Sequence, residues 1–140
     1  MNPVDLDWLR GVRSALESLW TERRSAGQCI RTAALLHDQL GGTIRGGWPH
    51  ENGVILNSGF RAPGGAWHFH YWLERGGLII DLTADQFGGL PVTVTPVSDP
   101  RYRACSHDHH VTADVEHVRR VSLPLYRDAL GPLRFPGGHP

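Results

Sequence analysis

The stretch WHFHYWLERGGLIIDLTADQ, residues 67–86, decides how the chain folds. It alternates. Trp67, Phe69, Tyr71 and Leu73 fall on one side of a strand, and His68, His70, Trp72 and Glu74 on the other. Arg75-Gly76-Gly77 is a turn signal, because glycine accepts positive φ. Leu78 to Thr83 reads as the returning strand. With Arg75-Gly76 as the turn, Glu74 faces Gly77, Trp72 faces Ile79 and His70 faces Asp81, with Cβ atoms about 4.5–5.5 Å apart. With Gly76-Gly77 as the turn, Asp81 is a diagonal neighbour of His70 on the same face. A three-residue turn would put Asp81 among Trp67, Phe69, Tyr71, Leu73, Leu78, Ile80 and Leu82, which is costly for a charge. Burial therefore favours the registers that join His70 to Asp81. Such a pair orients and charges an imidazole, although two polar residues on a solvated face is the plainer reading of it alone.

Upstream, residues 2–24 carry an apolar stripe of Leu6, Leu9, Val12, Leu16, Leu19 and Trp20 at helical spacing. Asn2 is placed to cap that helix, Pro3 sits in its first turn, and Asp5 and Asp7 suit its positive end. Ser25 three residues before Gln28 fits a capping box. It opens a second helix that runs to about Leu40, with Cys29, Ala33, Leu36 and Leu40 on its stripe, and Gly41-Gly42 ends it. Thr43 to Trp48 and Val54 to Leu56 read as short extended pieces. Downstream, Phe87 to Pro91 turns the chain, Val92 to Val97 alternates as a third strand, and Asp99 to Arg103 reads as a loop. Residues 112–121 and 124–130 read as two short helices. Trp8, Trp20 and Trp67 are expected in the core. The expectation is one α+β domain over residues 1–131, helices packed on a small antiparallel sheet, and a loose tail over 132–140.

Lys and Arg together number 14, all of them arginine, and Asp and Glu also number 14. That balance argues against a nucleic-acid surface. No apolar run approaches the roughly 20 residues of a membrane helix, and no secretory signal is visible. The expected setting is cytoplasmic, or export without a cleaved signal, as a monomer or weak oligomer. Two cysteines, Cys29 and Cys105, make no disulfide framework, though one bridge between them is open.

Cys29 falls in the first turn of a helix, where backbone N–H groups and the helix dipole stabilise a thiolate. The same N–H groups can hold the oxyanion of a tetrahedral intermediate. His70 can take the thiol proton, and Asp81 can fix the imidazole tautomer. A free cysteine on an apolar stripe is otherwise a small core residue. Gln28 is a candidate oxyanion donor or a capping residue. His68 and Trp72, on the face of His70, are candidates to line a cleft. Asp85 is a rival orienter beyond the strand end. Cys105, His107, Asp108, His109 and His110 are metal ligands by type, which keeps a metal-dependent hydrolase as an alternative, although a polar loop is the plainer reading.

Gly27-Gln28-Cys29 with Ile44-Arg45-Gly46-Gly47, His70-Tyr71-Trp72-Leu73-Glu74 and Ile80-Asp81-Leu82-Thr83 together resemble the motifs of the transglutaminase-like, papain-like cysteine enzymes. The likeness spans residues 27–83. It implies a papain-like plan and a catalytic triad of Cys29, His70 and Asp81. It also implies acyl transfer at an amide of a protein or peptide through a thioester, with no cofactor. Hydrolysis makes such an enzyme a deamidase, amidase or peptidase, and aminolysis makes it a transglutaminase. A binding module that keeps the fold without turnover is the remaining alternative.

Overall fold

The computed structural model describes residues 5–105 and 109–133, the side chains of 109–113 excepted. In chain order come α1 (Leu6–Glu17), α2 (Cys29–Leu40), β1 (Thr43–Gly47), β2 (His50–Glu51), β3 (Val54–Ile55), β4 (Gly59–Arg61), β5 (Trp67–His68), β6 (His70–Arg75), β7 (Leu78–Asp81), β8 (Thr93–Pro96), β9 (Tyr102–Arg103), α3 (His109–Val121) and α4 (Leu123–Leu130). Short 3₁₀ turns cover Thr21–Arg23, Ala84–Phe87 and Gly131–Leu133. The strands form a sheet ordered β1-β6-β7-β8, a smaller one ordered β5-β4-β9, and the ribbon β2-β3; every pairing is antiparallel. The architecture is α+β. Among the described residues no helix is long and apolar enough to cross a membrane.

Gly76-Gly77 is the hairpin turn, with φ of 59° and 79°, and the ladder pairs Arg75 with Leu78 and Leu73 with Ile80. Two successive positive-φ residues are what a tight primed turn requires. Asp81 is consequently diagonal to His70 rather than opposite it.

Both faces of the hairpin are covered. On one, Leu73, Ile80 and Leu82 meet Leu9, Val12 and Leu16 of α1, Leu36 and Leu40 of α2, and Leu130 of α4. Fully burying each such side chain is worth about 1.5–3 kcal/mol, which is ample to seat the helices. On the other, Trp72 and Ile79 meet Phe60, Ala84 and Tyr102. The alternation separates two buried environments, not core from solvent. It also breaks at Phe69. Residues 67–68 pair with β4 and residues 70–75 with β1 and β7. Phe69, between the sheets, is 46% exposed and Trp67 is half-buried, so neither is in the expected apolar layer. Trp48 and Trp72 are buried instead.

The first helix is shorter than its stripe. Asp5 caps it, its carboxylate accepting from Asp7 N at 2.8 Å and Trp8 N at 3.4 Å; the expected cap, Asn2, lies outside the described residues. The helix ends at Glu17, and the backbone turns through positive φ at Glu22 and Arg23, with no glycine or proline to announce it. The capping box is not formed. Ser25 Oγ donates to Asp85 at 2.6 Å, and Gln28 sits at the cap of α2 without a side-chain capping bond. The loop expected at 99–103 ends in β9, which pairs with β4. Within the expected tail, Pro132 and Leu133 belong to a 3₁₀ turn, and Leu133 O accepts from Trp8 Nε1 at 2.6 Å.

Candidate active site

His70 and Asp81 meet as the parity of the hairpin predicts. Nε2 of His70 lies 2.7 Å from Asp81 Oδ2, and the two residues are 0% and 2% exposed. The carboxylate is fully engaged. Thr83 donates to Oδ1 from its backbone N at 2.9 Å and its hydroxyl at 3.3 Å, and the Tyr102 hydroxyl donates to Oδ2 at 2.7 Å. Burial works against the charge of Asp81. The His70 charge and hydrogen bond, then the Thr83 and Tyr102 bonds, overcome it and hold the pKa below the usual carboxylate range. Burial likewise disfavours a charged imidazole, but the Asp81 charge and hydrogen bond, reinforced by Cys29, push the His70 pKa up to about 10.

With Nε2 committed to Asp81, His70 has only Nδ1 left. That atom is buried and makes no hydrogen bond of good geometry. The polar neighbour that acts on the ring besides Asp81 is Cys29, both as a hydrogen-bonding group and through its charge. Cys29 opens α2 just after Gly27, whose φ is 75°. It is a free thiol, 6% exposed, in a cluster with Ala33, Trp48, Tyr71, Cys105 and Val115. It lies near enough to act on Tyr71 and Tyr126 as well as His70, at the convergence of α2, β6 and α4. Glycine makes one side of this approach possible: a Cβ on Gly46 would lie 2.5 Å from the Tyr71 ring. Tyr71 in turn donates from its hydroxyl to Asp114 Oδ2 at 2.8 Å, which ties β6 to α3.

Aromatic rings wall the imidazole. Phe87 meets it edge-on at 5.4 Å between centroids, and Phe60 does so at 5.8 Å. His68 stacks on the outer side of Phe87 at 4.5 Å and is half-buried. It therefore stands one ring away from His70. Trp72 does not line a cleft: it is 1% exposed, enclosed with Phe60 and Tyr102, and its place is under the site. Gln28 is half-buried, and its Oε1 accepts from the Tyr126 hydroxyl. An open hollow of about 220 Å³, lined by Trp48, Glu51, Phe69 and Tyr71, adjoins the cluster that holds Cys29.

Asp85 is occupied elsewhere. It receives Arg13 Nη1 at 2.9 Å, Arg13 Nη2 at 2.7 Å and Ser25 Oγ at 2.6 Å, so it braces α1 against the approach to α2 and takes no part in orienting His70. Of the metal-ligand candidates, His107 and Asp108 lie outside the described residues, and His109 and His110 are described only as backbone of α3. Cys105 is packed in the apolar cluster of Cys29. Among the described residues no group of three His, Cys, Asp or Glu side chains is placed to hold a metal.

Tyr102, Phe60, Phe87 and Tyr126 are part of the site's surroundings and gave no signal in the sequence. Thr83 did carry one, since Asp-x-Thr is a pattern in which the threonine can bond the carboxylate two residues back. No curated protein and no solved structure matches the chain. The sequence pattern of one family does match, over residues 7–120, a span that takes in Cys29, His70, Asp81, Thr83 and Tyr102 but stops short of Tyr126; on that match the chain belongs to the YunG protein family.

Proposed function

We propose that the protein is a thiol enzyme that transfers an acyl group at an amide through a thioester, with water as the usual acceptor. The observation that carries this reading is the buried His70, bonded through Nε2 to Asp81 while its remaining nitrogen is left for a cysteine at a helix N-terminus. A packing cysteine needs no such partner, and a purely structural imidazole gains nothing from an unused buried Nδ1. The plan also supports it: a nucleophile opens a helix that lies on an antiparallel sheet, and the base and its carboxylate come from neighbouring strands. That plan is the one the papain-like and transglutaminase-like enzymes use.

In the first step the Cys29 sulfur, its proton already held by His70, gives an electron pair to the amide carbon. The carbonyl oxygen becomes an oxyanion that backbone N–H groups at the start of α2 and the Gln28 amide can stabilise. His70 returns the proton to the nitrogen, the C–N bond breaks, and ammonia or an amine leaves. Water then loses a proton to His70 and attacks the thioester carbon. The C–S bond breaks, a carboxylic acid is released and the thiol is restored. Aminolysis of the same thioester would make a transglutaminase. Hydrolysis is the simpler outcome because it asks for one bound organic substrate rather than two. The aromatic hollow by Tyr71 offers a place for the side chain next to the reacting amide.

Iodoacetamide at neutral pH tests the nucleophile. Cys29 and Cys105 are each 6% exposed, so accessibility does not favour either. Cys29 should label first; equal labelling, or Cys105 first, overturns the proposal. A panel of glutamine-containing peptides read by mass spectrometry then separates amide-to-acid conversion from cleavage and from amine incorporation.

A further inference from the structure

We infer that Tyr126, itself held by Trp20, is a positioning residue that fixes the direction of the Gln28 amide, so that its NH₂ group is presented to the oxyanion formed beside Cys29. The inference rests on the acyl-transfer reading above and adds to it two residues, one on α4 and one in the turn that follows α1, that the motifs do not contain.

The argument is one of donors and acceptors. Indole Nε1–H can only donate, and Trp20 Nε1 gives its hydrogen to the Tyr126 oxygen at 2.8 Å in a buried contact. The phenol keeps its own O–H to give, and it gives it to Gln28 Oε1. With the amide turned round, both Trp20 and Gln28 would donate to one phenol oxygen, and the phenol hydrogen would need another acceptor. Thr32 Oγ1, the other hydroxyl that acts on Tyr126, is buried and without a partner, and is the acceptor the phenol hydrogen would have to take if the amide were turned. In the relay Trp20–Tyr126–Gln28 as the structure has it, the amide oxygen faces Tyr126 and the nitrogen points away. Among the described residues no group accepts from Gln28 Nε2. Its two hydrogens are free, on a half-buried residue adjoining Cys29. Burial holds the Tyr126 phenol above its usual pKa, against the Trp20 bond and the Arg31 charge, so it remains a neutral donor across the working pH range. Tyr126 is 4% exposed and Trp20 5%, so water does not compete for the relay.

An oxyanion donor matters to attack on a carbonyl and not to alkylation, where no oxyanion forms. That difference supplies the test. p-Nitrophenyl acetate acylates a reactive thiol: the sulfur attacks the carbonyl carbon, the oxyanion forms, and collapse expels p-nitrophenolate and leaves an acetyl thioester. Iodoacetamide reacts with the same sulfur by displacement of iodide. In Tyr126→Phe, acylation of Cys29 should slow about tenfold, short of the ~10²–10³ that losing an oxyanion donor outright costs. Alkylation of Cys29 should keep its parental rate. Gln28→Ala should show the same selective loss, more strongly, and adding Tyr126→Phe to it should cost nothing further. Equal slowing of both reactions would mean a general disturbance of the thiol, and no slowing of either would mean no role; each overturns the inference. Should Tyr126→Phe fail to fold, Trp20→Phe keeps the phenol and should show the same selectivity at smaller size; loss of selectivity there is equally fatal. A parent protein whose Cys29 is neither alkylated first nor acylated would instead overturn the acyl-transfer reading itself, a result distinct from any failure of the relay.

Discussion

Asp81 and Asp85 stand four residues apart, and both are held below the usual carboxylate pKa, yet they do different work. Asp81 is enclosed, and its partners are an imidazole, a phenol and the Thr83 backbone and hydroxyl. Asp85 is half-buried, and its main partner is a guanidinium with a serine beside it. An arginine is charged at any pH the protein meets, so Asp85 makes a fixed brace. An imidazole can gain and lose a proton, so Asp81 makes an adjustable one. The lesson is that a lowered carboxylate pKa marks both a fixed clamp and the partner of a titratable imidazole. Only the partner's capacity to titrate tells them apart.

Substitution should break the symmetry sharply. Asp81→Asn keeps the size but can select the wrong imidazole tautomer. It should fold, with a stability loss of about 2 kcal/mol by denaturant titration, and lose roughly 10- to 1000-fold in turnover. A fully active Asp81→Asn would mean that His70 needs no orienting carboxylate. Next in size is Tyr102→Phe, which removes one of the two donors at Asp81 Oδ2. It should cost about 1 kcal/mol and a few-fold in rate.

Melting temperature against pH sharpens the comparison further. The His70 pKa is raised when folded, so its contribution is complete below its ordinary value near 6.5 and is lost as pH climbs through about 10. The parent should soften over that alkaline window, and Asp81→Asn should lose much of the slope. Asp85 is lowered, so its contribution is present above the ordinary carboxylate value and disappears only as pH falls through its lowered one. Asp85→Asn should therefore leave the alkaline slope intact. The smallest effect is on activity: Asp85→Asn should stay within about threefold of the parent while costing about 1 kcal/mol of stability. A dead Asp85→Asn with a native spectrum would show that the brace on Ser25 positions Cys29 and would collapse the distinction.

How much of this could be read in the chain follows from what each signal encodes. Period-two alternation encodes the side of a strand, so it joined His70 to Asp81 in either register. It says nothing of what lies over that side. The cover comes from Phe60 and Tyr102, on strands of the other sheet, and so the burial of Trp72 was invisible. Gly41 after Leu40 marked the end of α2, because it needs positive φ. The end of α1 was not marked, since Glu22 and Arg23 take positive φ without a glycine. Ser25 looked like a cap because spacing alone defines the pattern, whereas Asp85, sixty residues on, is the stronger partner for its hydroxyl. Tyr126 bonds Gln28 across 98 residues, a link no local pattern could carry.

The change of sheet at Phe69 places the site on a seam. The Asp81–His70 pair belongs to the larger sheet by its backbone, and the rings of Phe60 and Tyr102 that seal it belong to the smaller one. Local openings run along such boundaries at less cost than global unfolding. Slow amide exchange should therefore divide within three residues, with His70 protected alongside β1 and β7 while His68 exchanges with β4 and β9. A partial opening that lifts the smaller sheet would wet the carboxylate and free the imidazole from its enclosure while α2 and the hairpin stay folded. The proposed chemistry would be lost before the fold.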